Sequence, residues 1–288
     1  MTDSDLDSST AHLARIAVHP IKSLDPVERD RARIVANGGL EHDREFAILD
    51  RDGRYVNGKR TAAVHRLRSS FDDAIETVTL RQEGDGERDR RQFDLERDRS
   101  ALAAWLSDHF GYPVRLEREP DGGFPGDTIL SGPTVITTGT LRAVASWFDG
   151  VDEHGMRLRL RANLEIDGVP PFWEDRLLSD HDHEVAFRIG DVVLRGANPC
   201  QRCTVPVRGP HTGEEYPDFQ RIFIENRKRT LPEWLDRTRF DHYFRLMVNT
   251  KIPQSEWRST VAVGDEVDIL WAVHVDEPIG EAMGDRLG

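Results

Sequence analysis

Leu13-Ala14-Arg15-Ile16-Ala17-Val18 is the stretch on which the reading of the fold turns. Its mixed alternation and β-branched residues predict a strand rather than a helix. Similar short runs recur outward from it, at Arg31 to Val35, Glu45 to Leu49, Ala74 to Leu80 and Val114 to Glu117. Asn37-Gly38-Gly39 and Asp50-Arg51-Asp52-Gly53 stand among them, and their Asn, Asp and Gly residues suit tight turns. The one clear helical pattern of this half begins near Ser100, with Leu102, Trp105, Leu106 and Phe110 recurring at mostly helical spacing, and Gly111-Tyr112-Pro113 predicts its stop. Glu119 to Gly126, rich in Pro and Gly and crossed by no periodicity, is the expected junction between two domains, 1–122 and 123–288.

Beyond that junction Thr134-Val135-Ile136-Thr137 reads as a buried strand, followed by a Thr-capped helix with Leu141, Val144, Trp147 and Phe148 on one face. Met156 to Leu164, Val185 to Ile189, Val192 to Leu194, Tyr243 to Val248 and Val261 to Leu270 are β-like, with a turn at Gly264-Asp265 inside the last. The expected class is α+β, mostly β: two barrel-like units with a few helices, not a doubly wound sheet. The polar, acidic ends are expected to fray.

Composition narrows the function. The 288 residues carry a formal net charge of −13, with 39 basic against 52 acidic side chains. Such a field repels phosphate backbones and anionic lipid, which argues against nucleic acid as a stable partner and against a membrane surface. No long apolar run and no basic-then-apolar leader is evident, so a soluble cytoplasmic protein is expected. Only four of the cations are lysines, Lys22, Lys59, Lys228 and Lys251, against 35 arginines. An acid-rich, lysine-poor surface suits a salt-adapted, halophilic-type host, although a GC-rich genome also favours arginine. The only cysteines, Cys200 and Cys203, cannot staple a fold of this size and fit a reduced compartment.

Three groups of residues carry candidate chemistry. In Asn198-Pro199-Cys200-Gln201-Arg202-Cys203, read as lying just after a strand, the cysteine pair lacks the further ligands that zinc needs. Thr204-Val205-Pro206-Val207 reads as extended chain, not the helix that a thioredoxin-type pair opens. One thiolate on a soft metal centre, with Arg202 beside it, and a pair of small buried hydrophobes both remain open. At the end of the first strand, Lys22 and Ser23, with Arg44 after Gly38-Gly39-Leu40, offer donors suited to a phosphate. Arg157, Arg159, Arg161 and Asn163 alternate along a predicted strand, so that three arginines would share a face and repel unless an anion or carboxylates neutralise them. Trp173 and Trp257 fall in loop-like stretches that could line an entrance.

These residues resemble a known family. His19-Pro20-Ile21-Lys22-Ser23, Gly38-Gly39-Leu40 with Asp43-Arg44, Arg161-Ala162-Asn163, and Cys200-x-Arg202-Cys203 followed by Pro210-x-Thr212-Gly213 look like a MOSC protein. The chain is similar to the two-part members with a MOSC N-terminal β-barrel domain and a MOSC domain, which include the YcbX type and the mitochondrial amidoxime-reducing components. The resemblance runs in order from about position 12 to 272. It implies a molybdenum cofactor (Mo-molybdopterin), with Cys203 as metal ligand and catalytic residue. Lys22, Ser23, Arg44, Thr137, Thr138, Arg161, Asn163 and Arg202 are its implied cofactor contacts.

The implied activity is a molybdenum-dependent oxidoreductase that reduces small N-hydroxylated compounds with electrons from a separate donor, such as a ferredoxin- or flavin-type reductase. The alternative is a sulfur- or cofactor-carrier protein using the same cysteine without turnover. Broad descriptions of the group also mention pyridoxal phosphate, although no Schiff-base lysine stands out. The chain departs from the family's pattern in two places. Leu130-Ser131-Gly132 stands before Pro133 where an acidic residue is common, and Asn57-Gly58-Lys59-Arg60 replaces an arginine segment, leaving Lys59 or Arg60 to supply the cation.

Overall fold

The computed structural model describes residues 10–84, 90–126 and 130–275. The fraying expected of both ends falls outside them. The leading run forms β1 (His12–Val18), and it belongs to the largest sheet of the molecule. That sheet also holds β2 (Val27–Arg29), β9 (Thr134–Thr137), β10 (Leu164–Asp167), β11 (His183–Ile189), β12 (Val192–Gln201), β13 (Arg245–Lys251) and β15 (Val267–His274). Its order is β15-β11-β12-β13-β9-β10-β1-β2. Smaller sheets pair β3 (Arg31–Arg33) with β14 (Thr260–Ala262) and β4 (Phe46–Asp50) with β8 (Val114–Arg118). The last joins β5 (Leu67–Phe71), β6 (Thr77–Gln82) and β7 (Arg91–Asp94). Among the described residues no ladder closes the large sheet into a barrel. The end strand β15 is nevertheless tied at its start to β1, by Leu13 N–H to Asp265 O (2.8 Å) and Val267 N–H to Ala11 O (2.8 Å).

The helices follow their end signals. α1 (Arg99–Phe110) buries Leu102 and Leu106 and stops at Gly111, whose φ of 75° is the left-handed conformation that glycine adopts without strain. α2 (Thr138–Ala145) starts under Thr137, whose hydroxyl accepts from Thr140 N–H at 3.1 Å.

The strand expected over Met156 to Leu164 is instead α3 (Glu153–Leu160), followed by the entry to β10. Met-Arg-Leu-Arg-Leu mimics a period of two. Asp152 nevertheless caps Gly155 N–H at 2.7 Å, and Met156 and Leu160, one helical turn apart, are both buried. Arg157, Arg159, Arg161 and Asn163 therefore do not alternate on one strand face. Val205–Val207 likewise forms a single 3-10 turn, not extended chain, and β12 runs through Cys200 instead of ending before it.

The sequence reading contained no β2, β5, β7 or α4 (Phe219–Thr230). α4 buries Phe219, Phe223 and Arg227, the last a cation where a hydrophobic stripe would normally run. Arg227 grips Asp175 with two bonds of 3.0 and 2.6 Å, and its guanidinium lies 5.3 and 5.4 Å from the Phe172 and Phe240 rings.

The larger core joins residues from both ends of the chain, among them Leu13, Ile48, Leu102, Val248 and Val261. A second packs α2, α3 and α4 together through Leu141, Met156, Leu160, Phe219 and Phe223. The large sheet thereby sets the site. One row of paired residues, Pro199, Val248, Val135, Leu164 and Ile16, crosses β12, β13, β9, β10 and β1. Cys200, Asn249, Thr134, Arg161 and Lys22 all stand within a few residues of that row.

Candidate functional site

A cleft of about 510 Å³ opens where these segments meet, within the usual range for a small-molecule site. Lys22, Ser23 and Arg44 line one part, and Arg161, Arg202, Cys200 and Cys203 also line it. The structure thus gathers six of the nine site residues expected from sequence: Lys22, Ser23, Arg44, Arg161, Arg202 and Cys203. Four lining residues hold positive φ without being glycine: Ser23 (79°), Arg44 (57°), Arg161 (58°) and Met247 (72°). Each such conformation costs about 1–3 kcal/mol, and strain of this kind collects where side chains must be aimed.

Lys22 donates to the carbonyls of Phe124 (2.7 Å) and Pro125 (2.8 Å), and its ammonium lies 4.7 Å from the centre of the Tyr55 ring. Burial, then the nearby charges of Arg44 and Lys59, lower its pKa to about 8. Arg44 pairs with Asp43 at 3.1 Å. Burial opposes ionisation of Asp43, but Arg44 and the hydrogen bonds from His19 outweigh it and hold the carboxyl at about 2. Burial pushes His19 down to about 3, so its 3.5 Å approach to Asp43 is a contact of a neutral imidazole and not an ion pair. Arg161, at the left-handed end of α3, donates to Leu24 O at 2.7 Å. Burial and Arg44 lower it to about 10, and it stays charged at neutral pH.

The cysteine loop and α3 are laced together from both sides. Arg202 donates to Leu160 O (2.8 Å) and to Cys200 Sγ (3.3 Å), while Arg159 donates to Pro206 O (2.8 Å) and Arg208 O (2.6 Å). Cys200 also packs against the second core. Both cysteines are free, half-buried and on the cleft wall. Among the described residues no group of three or more His, Cys, Asp or Glu side chains is arranged to hold a metal, so the pair has no company for a tetrahedral zinc site.

Three residues that the resemblance assigns to the cofactor do not line this cleft. Thr137 and Thr138 are buried, and their hydroxyls bond Glu174 (3.0 Å) and Glu165 (3.0 Å), which fixes the start of α2. Asn163 is 1% exposed; its amide donates to Ala17 O (3.0 Å) and its carbonyl accepts from Thr134. It staples β1 to β9 and so sets Arg161, two residues earlier. Trp173 and Trp257 pack against the larger core and are no part of the lining. Of the two candidate cations after Gly58, Lys59 lines the cleft and Arg60 faces a separate groove with Asp50, Tyr55 and Tyr112.

Sequence reasoning missed His65, Arg68, Arg159 and Arg208 as lining residues. Arg68 is held by Asp25 (3.1 Å) and Glu83 (3.3 Å) and donates to Pro210 O (3.1 Å), linking the two halves. Burial lowers the pKa of His65, whose Nε2 lies 3.3 Å from Gly58 O. Only Arg159 left a trace in the sequence, as one member of the alternating arginines.

The family profile for the MOSC N-terminal beta barrel domain matches residues 10–113, and that for the MOSC domain matches residues 137–268. The chain is 24% identical over 237 residues to a molybdenum cofactor sulfurase of Drosophila willistoni, covering 72% of this chain and 28% of that protein. To the molybdenum cofactor sulfurase of Caenorhabditis briggsae it is 22% identical over 262 residues, covering 82% of this chain and 35% of that protein. The chain thus spans about a third of the length of these curated relatives. With its motifs in order and both profiles matched, the chain is a MOSC protein, made of a MOSC N-terminal beta barrel domain followed by a MOSC domain.

Proposed function

We propose that the cleft binds a molybdenum cofactor with Cys203 as the protein's ligand to the metal, and that the loaded protein reduces N-hydroxylated compounds with electrons from a separate redox protein. The observation that carries the cofactor reading is electrostatic. In a chain with 52 acidic residues, Lys22, Arg159, Arg161 and Arg202 line one cleft, and none has a carboxylate within 4.0 Å among the described residues. Buried cations without counter-ions are costly, and a bound anion removes the cost.

The residues fit such a group. Lys22, Ser23 and Arg44 offer an ammonium, a hydroxyl and a guanidinium to a phosphate, and Arg161, close enough to feel the charge of Arg44, presents a second guanidinium. Arg202 bonds Cys200 and the end of α3, and so holds the loop that carries Cys203. When bound, the cofactor supplies two-electron redox chemistry at a sulfur-ligated metal. The chain's own residues bind it, aim it and exclude water.

A second reading is a cofactor carrier or sulfur-delivery protein. It is favoured by the curated relatives, which are molybdenum cofactor sulfurases. A pyridoxal phosphate site at Lys22 gains nothing, because its ammonium is held by two carbonyls. The test supplies cofactor-loaded protein with benzamidoxime and reduced methyl viologen and measures benzamidine. Turnover supports the reductase; loaded protein without turnover, carrying a persulfide on Cys203, supports the carrier.

A further inference from the structure

The cations of the cleft fall into two groups. Lys22 feels the charges of Arg44 and Lys59, and Arg161 those of Arg44 and Arg68, so these residues act together. Arg159 stands apart, with no other cation and no carboxylate acting on it. It is only 7% exposed, its guanidinium lies 5.6 Å from the Phe219 ring, and its hydrogen bonds all go through Nη1 to two backbone carbonyls. Its Nε is buried with no partner. The neighbouring Arg157 on the same helix shows the contrast: Glu165 and Glu153 bind it at 2.7 and 2.6 Å.

A guanidinium desolvated this far, bonded to two carbonyls and to no carboxylate on a protein with acids to spare, is suited to an anion arriving from outside. The cofactor's phosphate has its donors already in Lys22, Ser23 and Arg44. We propose that Arg159 forms a second anion subsite that selects N-hydroxylated substrates bearing a carboxylate or phosphate. Arg159 is then a specificity-determining residue, and the subsite takes the charged end of the substrate while its N-hydroxyl group faces Cys203. This inference rests on the reductase reading for its substrate class.

The test measures, by isothermal titration on the cofactor-loaded full chain, the Kd values of benzamidoxime and of 4-carboxybenzamidoxime. The carboxylated probe is expected to bind at least about tenfold more tightly. Arg159→Gln is expected to bring the ratio of the two Kd values close to one, and Arg159→Lys to restore part of it. Because Arg159 also braces the cysteine loop, a measurement on the unaltered protein stands beside the variants. There, inorganic phosphate is expected to compete with the carboxylated probe and not with the neutral one.

Equal Kd values in the unaltered protein, a ratio unmoved by Arg159→Gln in folded protein, or phosphate competing equally with both probes would overturn the subsite. Turnover measured in parallel separates the two claims. Reduction of both probes without preference sinks the subsite and leaves the reductase standing. A preference in binding with no reduction of either probe sinks the reductase and leaves the subsite.

Discussion

Glu174 offers the sharpest energetic prediction. It is 1% exposed beneath the start of α2, where Thr137 (3.0 Å) and Thr140 (2.8 Å) donate to one carboxylate oxygen, and its other oxygen has no partner. Burial, then the neighbouring Asp175, raise its pKa from 4.5 to about 7. An acid with a raised folded pKa destabilises the fold as it ionises: nothing is lost well below 4.5, the loss grows up to about 7, and it is constant above. The shift corresponds to about 3 kcal/mol at pH 8 and about 1 kcal/mol at pH 5. Glu174→Gln keeps an acceptor for both hydroxyls and removes the ionisation. Urea unfolding of both proteins across this range is expected to show the variant gaining on the parent by about 2 kcal/mol between pH 5 and pH 8. Parallel stability curves would refute the reasoning, because they would mean that Glu174 ionises as easily folded as unfolded.

Two further outcomes are expected. Lys22, with its pKa lowered to about 8, loses its charge as pH rises, so the affinity for pyrophosphate measured by titration calorimetry should fall by up to about tenfold between pH 7 and pH 9. Lys22→Ala should weaken binding at pH 7 and flatten that fall. Arg227→Met strands the buried Asp175 carboxylate and should destabilise the protein by about 3–5 kcal/mol in denaturant unfolding, whereas adding Asp175→Leu should recover most of the loss.

Much of the fold is legible in the sequence where local signals agree with the final packing. α1 is bracketed by an apolar pattern and by Gly111, and α2 by Thr137, so both ends are written in the chain. α3 defeats that reading because Met156 to Leu160 alternates apolar and charged residues like a half-buried strand, while Asp152 and the left-handed Arg161 set a helix. α4 hides because its buried face ends in Arg227, a cation whose one carboxylate partner among the described residues, Asp175, is 52 residues away.

The site divides the same way. Lys22, Ser23, Arg44, Arg161, Arg202 and Cys203 stand in short motifs that read in order, and the large sheet brings them together. Arg68 and Arg208 are ordinary arginines in sequence; Arg68 reaches the wall by bonding Pro210 across the two halves, and Arg208 is held there by Gly213 and Glu215. Thr137, Thr138 and Asn163 show the converse, since polar residues that the resemblance assigns to the cofactor are used here to fix the scaffold.

The most direct test of the central claim is the molybdenum content of protein purified from a cofactor-competent host, beside Cys203→Ser. About one Mo per chain, lost in the variant while pterin is partly kept, is the result expected if Cys203 ligates a metal whose cofactor the cations hold. Folded protein without Mo, or Zn bound through both cysteines, would contradict it.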